Sequence, residues 1–282
     1  MLDSDSVANL AIASDIEALL VRDNPRGMAL LRQALPPGYL TRAAKLLLAA
    51  HDSVAIITGF PVKNTFETDG PAGAMVVYDF LHQRGCSPVV IAEPDVLAAM
   101  GYHRRGIAIP SKTAESTDWR LPLREINPTL VISIERPGAA NDGHFYNLRG
   151  VNISDSLINL ETSVSAWNCP VIAIGDGGNE LGMGKIAKAV EALDITAAVS
   201  SCDELIVADV SNWGAYALVA MAQYLLQTSI RDDVDSAALL TQLVHAGAVD
   251  GITHEATVTE DGLTADHGRQ LIMDIRKRLQ QR

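Results

Sequence analysis

The sequence predicts an α/β protein: a three-layer, mainly parallel open sheet with helices on both faces, preceded by a helical lead-in over residues 1–50. Three observations carry this expectation. Short apolar runs alternate with helical patterns along the chain, the order expected of a parallel sheet covered on both sides. Runs such as Val54 to Thr58 and Leu130 to Ile134 are continuous rather than alternating, as strands with two buried faces should be. The polar loops follow strands: Glu67 and Asp69, Glu135 and Asp142, Asp176 and Glu180, Ser211 and Asn212 all fall where open sheets bind ligands. Residues 1–282 read as one unit, with no internal repeat and no low-complexity linker.

In order, Ser6 to Val21 places Leu10, Ala13, Ile16, Leu19 and Leu20 at helical spacing. Asn24-Pro25-Arg26-Gly27 is a loop, Met28 to Ala34 a short helix, and Thr41 to Ala50 a Leu- and Ala-rich one. Val54 to Thr58 is the first strand. Pro71 suits the first turn of a helix over Ala72 to Gln83, and Gly85 ends it. Pro88 to Ala92 is a strand, Asp95 to Ala99 a helix, Ile107 to Ile109 a strand, and Ser111 to Asn127 a polar, irregular connection. Leu130 to Ile134 is a strand, Asn152 to Ala166 reads as mostly helical, and Pro170 to Ile174 is a strand. A helical pattern follows at Ile186, Ala187, Val190 and Leu193. Glu204 to Ala208 is a strand, Ala215 to Leu226 a very apolar helix, Asp235 to His245 an amphipathic one, and Thr264 to Leu279 the closing helix after a turn at Asp261-Gly262.

Composition narrows the function. The chain is 48% hydrophobic and 20% charged, an ordinary globular balance, and its net charge of −12 argues against non-specific binding to nucleic acid or an anionic membrane. Cys86, Cys169 and Cys202 form no CxxC pair and read as reduced thiols, which suits a cytoplasmic protein. No basic region precedes an apolar core at the N-terminus, so no signal peptide is expected, and no run of 18 apolar residues spans a membrane. The apolar helix at Ala215 to Leu226 leaves a homo-oligomer open.

The stretch Gly175 to Lys185, Gly-Asp-Gly-Gly-Asn-Glu-Leu-Gly-Met-Gly-Lys, lies between a strand and a helical pattern. It fails as a P-loop: Gly184-Lys185 is followed by Ile186, and Asn179 stands where Gly is needed. A dinucleotide fingerprint from Gly175 meets Glu180 in place of glycine, so no nucleotide cofactor is expected. Asp176, Asn179 and Glu180 instead offer hard oxygen ligands. With acids from neighbouring loops they could hold Mg²⁺ or Ca²⁺, unless Asp176 merely bonds its own glycine turn. Asp69 could likewise simply cap the helix that starts at Pro71. Free N–H groups at that helix start attract a carboxylate. His144, beside Asp142, is a candidate general acid or base. Lys63, Arg136, Arg149 and Lys185 are the candidate cations, with Arg136 placed to clamp a carboxylate and Lys185 calling for an anionic partner.

Several motifs together resemble the D-glutamate cyclase family, specifically its C-terminal catalytic-type domain: Ile57-Thr58-Gly59-Phe60-Pro61, Glu67 through Ala74, Ile134-Glu135-Arg136, Asp142-Gly143, Gly175 through Lys185, Val210 through Gly214, and Val249 through Thr253. The resemblance implies a lyase that interconverts D-glutamate with 5-oxo-D-proline and water, acting on a small amino acid. Residue type then suggests roles. Glu67, Asp69 or Glu135 would take the ammonium proton, with Asp142 and Asp176 as further acids and His144 as the acid that releases water. Thr58, Gly70, Gly73, Arg136, Gly177, Gly178, Lys185, Ser211 and Asn212 would contact substrate. A metal-dependent enzyme on another small carboxylate or lactam, or a non-catalytic amino-acid-binding protein, are the alternatives.

Overall fold

The computed structural model describes residues 4–110, 120–228 and 234–280. The lead-in forms α1 (Ser4–Leu19), α2 (Met28–Gln33) and α3 (Tyr39–Ala49). Then come β1 (Ser53–Thr58), a hairpin of β2 (Pro61–Val62) and β3 (Thr65–Phe66), α4 (Pro71–Gln83), β4 (Ser87–Ala92), α5 (Pro94–Met100), β5 (Gly106–Ala108), α6 (Arg120–Glu125) and β6 (Leu130–Ile134). The second half holds α7 (Glu161–Ala166), β7 (Val171–Gly175), a 3-10 turn (Met183–Ile186), α8 (Ala187–Val190), β8 (Glu204–Val207), α9 (Ser211–Leu225), α10 (Ser236–His245), a hairpin of β9 (Thr259–Glu260) and β10 (Leu263–Thr264), and α11 (Ala265–Gln280).

Six strands pair in the order β5-β4-β1-β6-β7-β8, all parallel. The chain steps outward from β1 to β4 and β5, then crosses back to β6 on the other side of β1. That reversal opens a crevice beyond the carboxyl ends of β1 and β6. Alternate side chains enter different cores. Val54, Ile56, Ile132 and Ile206 join the helices α3, α4 and α9, with α1, α10 and α11 outside them. Ala55, Ile57, Val89 and Val131 meet Leu123 of α6 and Leu160, Val164 and Trp167 around α7. Each fully buried Val or Ile contributes about 1.5–3 kcal/mol relative to exposure. The three layers are therefore unequal, with one face carrying most of the helical mass. No helix among the described residues is long and apolar enough to cross a membrane.

Four local readings change. Residues 152–166 are helical only from Glu161, because short polar side chains bond the backbone first: Asn152 accepts from the Ser154 N–H at 2.9 Å and Asn159 from the Glu161 N–H at 2.8 Å. Arg120–Glu125 is helical within the stretch read as irregular, while residues 111–119 of that stretch lie outside the described residues. The helical pattern after Lys185 is cut to a 3-10 turn and the four residues of α8. And α9 starts at Ser211, ahead of the expected start at Ala215, because its cap comes from elsewhere in the chain. Most of α9 is packed inside the molecule, with Trp213, Leu218 and Met221 fully buried.

Candidate active site

The crevice is built from strand ends. Thr58 closes β1, and the β2–β3 hairpin turns the chain back so that Glu67 bridges to Val249. Glu135 follows β6 with a left-handed backbone (φ 45°). Asp176 follows β7, and Asp261 sits in the β9–β10 turn. Glu67, Glu135, Asp176 and Asp261, with Glu180, form the floor of a cavity of about 260 Å³. That volume suits a ligand of amino-acid size.

Asp69 lies against the back of this floor. Its Oδ2 accepts from the Ser211 N–H and its Oδ1 from the Asn212 N–H, both at 2.7 Å. Asp69 therefore caps α9 rather than α4. At the start of α4, Asn212 Oδ1 accepts from Gly70 at 3.0 Å, an amide it shares with Asp69 Oδ1 at 2.8 Å, and from Gly73 at 2.7 Å, so that helix start is closed to an anion. Asn212 Nδ2 donates to Glu260 Oε2 (2.9 Å) and Trp213 Nε1 to Glu260 Oε1 (2.7 Å). Ser211 Oγ donates to Glu135 at 2.6 Å. Gly70 is required: its φ is 93°, and a Cβ there would fall 2.7 Å from that of Glu135.

One cation enters from the lead-in. Arg26 Nη2 donates to Asp176 at 2.7 Å and Asp261 at 2.6 Å, and also to the Asp209 carbonyl, while Nε donates to the Asp176 carbonyl at 3.0 Å. Burial opposes its charge, but Asp176 and Asp261 hold the guanidinium above its ordinary value. It is the only arginine or lysine in direct contact with the floor among the described residues. The acids outnumber it, and their protons are held accordingly. Burial, then the charges of Glu135 and Asp261, raise Glu67 well above the carboxylate range. Burial raises Glu135 and Asp176 similarly, with Glu180 the main neighbour of the first, while Arg26 pulls the second partly back. Asp69 is pushed up to about 7 by burial and Asp261, Glu260 to about 8 by burial and Asp69, and Glu180 is raised by burial.

The glycine-rich loop closes on its own acid. Glu180 Oε2 accepts from the Gly178 N–H at 2.8 Å, and Gly177 lies against the Asn179 and Glu180 side chains so closely that a Cβ would collide with both. Gly177, Asn179 and Glu180 line the cavity; the Asn179 amide donates to the Tyr146 carbonyl at 2.9 Å.

Other candidates lie elsewhere. Asp142 is exposed, its carboxylate lowered by hydrogen bonds from the Tyr146 hydroxyl (2.7 Å) and the His144 N–H (3.0 Å), and neither Asp142 nor His144 lines the cavity. Arg136 is buried and turned away, its Nη1 donating to both oxygens of Glu93 at 2.9 and 2.8 Å. Among the described residues Lys185 meets no acid; it donates to the carbonyls of Cys202 and Asp203. Gly73 lets α4 approach α9, 2.7 Å separating a Cβ there from that of Ala215. Thr58 is fully buried beside Gly70, its hydroxyl without a partner among the described residues. Arg26, Asp261 and Glu260 carried no functional signal in the sequence beyond a loop and a turn; only their meeting in space marks them.

Oxygens of Asp69, Glu135 and Asp176 lie within 4.8 Å of one another, a hard donor set of the kind that holds a divalent cation. Ser211 occupies one oxygen of Glu135 and Arg26 one of Asp176, leaving the second oxygen of each for an ion, while both Asp69 oxygens accept from backbone amides and have only a remaining lone pair to offer. The residues present fit such a group.

Comparison with known proteins completes the description. A family model described as "D-glutamate cyclase-like, C-terminal" matches residues 16–276. Human "D-glutamate cyclase, mitochondrial" is 32% identical over 212 residues, which cover 65% of this chain and 34% of that protein. The match thus spans about a third of the curated relative. Among solved structures, an exopolyphosphatase-related protein from Bacteroides fragilis aligns with a TM-score of 0.44 at 11% identity, over 86% of this chain and 60% of that one. RecJ in complex with Mn²⁺, from Thermus thermophilus, aligns with a TM-score of 0.39 at 12% identity, over 99% of this chain and 44% of that one. At those scores neither likeness bears on function.

Proposed function

Because the chain belongs to the D-glutamate cyclase-like family, we propose that its cavity interconverts D-glutamate with 5-oxo-D-proline and water. One observation supports this most: a small cavity floored by several carboxyl groups, most of them held above the usual carboxylate range. Closing the lactam forms a bond between the α-nitrogen and the δ-carbon and breaks a bond from that carbon to oxygen. Two protons leave the ammonium and both end on the departing water. The site must therefore accept and give protons at similar cost. Ordinary carboxylates near pH 7 only accept, whereas groups titrating near neutrality do both.

In this reading Glu67 and Glu135 carry the protons. Both line the cavity, both are raised by burial, and Glu135 adds its charge to the rise at Glu67. Asp69 and the Ser211 hydroxyl orient Glu135 and the α9 start behind it. Glu180, fixed by the Gly178 amide, holds the ammonium end of the substrate. Asp69, Glu135 and Asp176 would hold a divalent cation, Mg²⁺ or Ca²⁺ by donor type, which when bound would supply positive charge to the oxyanion of the δ-carbon and leave the proton transfers to Glu67.

The test is incubation with D- and L-glutamate and with both enantiomers of 5-oxoproline, with and without EDTA, followed by chiral chromatography. Turnover confined to the D-series is expected. Failure to interconvert any of the four, with divalent metal supplied, would overturn the reading.

A further inference from the structure

The cavity is divided by charge. Its floor is acidic, but its rim carries Lys63, Arg149 and His254. We propose that Arg149 and Lys63, set by His254, form a subsite for the α-carboxylate of the substrate; the choice of ligand rests on the cyclisation reading above.

The rim is built, not incidental. Arg149 Nη1 lies 2.8 Å from His254 Nε2, and Nη2 donates to the Ile252 carbonyl at 2.9 Å. Burial and then the charges of Arg149 and Lys63 lower the His254 imidazole, so a neutral ring accepts from the guanidinium and sets its plane. The loop that carries His254 is pinned by Asp250, which accepts from the Ile252, Thr253 and Gly262 N–H groups at 2.9, 2.8 and 2.7 Å. Lys63 and His254 both hold left-handed backbone, φ 54° and 60°, as does Glu135 on the floor. Side chains tolerate that conformation at a cost, and it gathers where a site requires it.

Substrate chemistry fits the division. Between glutamate and its lactam, the ammonium loses its charge and the γ-carboxylate becomes a carbonyl. The α-carboxylate alone stays charged and takes no part in bonding changes. The floor offers it carboxyl groups, and the cation that meets them, Arg26, is engaged by Asp176 and Asp261. The rim supplies the cationic side chains among the described cavity-lining residues, and Arg149 keeps unused N–H groups of its fork for a carboxylate. Binding a non-reacting group there orients the reacting atoms over the floor in both directions of the reaction.

The experiment is calorimetric titration of the full chain with 5-oxo-D-proline, D-glutamate and 2-pyrrolidinone, the lactam without a carboxylate, for the parent protein, Arg149→Gln, Lys63→Gln and the double variant. Affinity for the two carboxylates is expected to fall about tenfold per rim charge removed, while 2-pyrrolidinone stays a weak ligand indifferent to both substitutions. In turnover, KM rises far more than kcat falls. Equal affinity of parent and double variant for 5-oxo-D-proline, or no binding of either carboxylate by the parent, overturns the subsite. Binding that depends on Arg149 without lactam formation keeps the subsite and removes the cyclase reading. Turnover that ignores both rim charges does the reverse.

Discussion

Asp69 and Asn212 cap each other's helices. Asp69, just ahead of α4, accepts from the first amides of α9, and Asn212, in the first turn of α9, accepts from the amides that open α4. The pair locks two strand ends together behind the cavity. Asn212→Ala leaves the Gly73 amide and Glu260 Oε2 without their partner, while Gly70 keeps Asp69 and Glu260 keeps Trp213. It should cost about 2–4 kcal/mol of stability, read from urea unfolding, since both caps and buried unsatisfied groups are involved. A loss no larger than that of an exposed Asn→Ala control would show that the caps are idle.

Stability should rise as pH falls from about 8. Asp69 titrates at about 7 and Glu260 at about 8 in the folded chain, against about 4 unfolded. The folded state binds more protons across that window, so their contribution is complete below about 4 and is lost as pH climbs through about 7 and 8. The melting temperature should therefore fall between about pH 5.5 and about pH 8.5. Asp250 works in the opposite sense, its folded value lying below the ordinary one, but its loss comes only in stronger acid. A melting temperature that increased with pH would contradict the burial of these acids.

Arg26→Gln should cost more in base than in acid. At high pH it leaves Asp176 and Asp261 facing one another without their cation, a cost of about 3–5 kcal/mol for a broken buried pair. At lower pH protonation of Asp176, already favoured by burial, relieves part of it. Thermal melts at two pH values check the difference; an equal loss at both would mean Arg26 acts through packing alone.

Divalent ions should stabilise the chain more at about pH 8 than at about pH 6, because ligand carboxyls must lose protons to bind. Adding Mg²⁺, Ca²⁺ or Mn²⁺ after EDTA treatment should raise the melting temperature, and Asp176→Asn should abolish the rise. Indifference to all three ions would remove Asp69, Glu135 and Asp176 as a cation site.

Glu67→Gln and Glu135→Gln should each lower the cyclisation rate by about 10²–10⁴, the range for losing a proton-transfer group. Asp142→Asn and His144→Gln should leave it at the parent level, since both side chains are outside the cavity.

The sheet was legible because its strands are continuous apolar runs: β6 occupies the residues that the pattern of Leu130–Ile134 marks. The acids at the strand ends were legible for the same reason. What local pattern missed has physical causes. Arg136 looks like a clamp beside Glu135, yet neighbouring residues at a strand end project to opposite sides, and Arg136 goes to Glu93. Lys185 looks in need of an anion, but carbonyl oxygens satisfy it. Arg26 and Asp261 sit in Pro-Arg-Gly and Asp-Gly sequences, where turn chemistry accounts for them fully; their shared contact spans 235 positions, beyond the reach of any local signal.

That span also joins two distant parts of the fold at one contact. Arg26 lies in the loop after α1 and Asp261 in the β9–β10 turn, so opening of either the lead-in or the last hairpin parts the same ion pair.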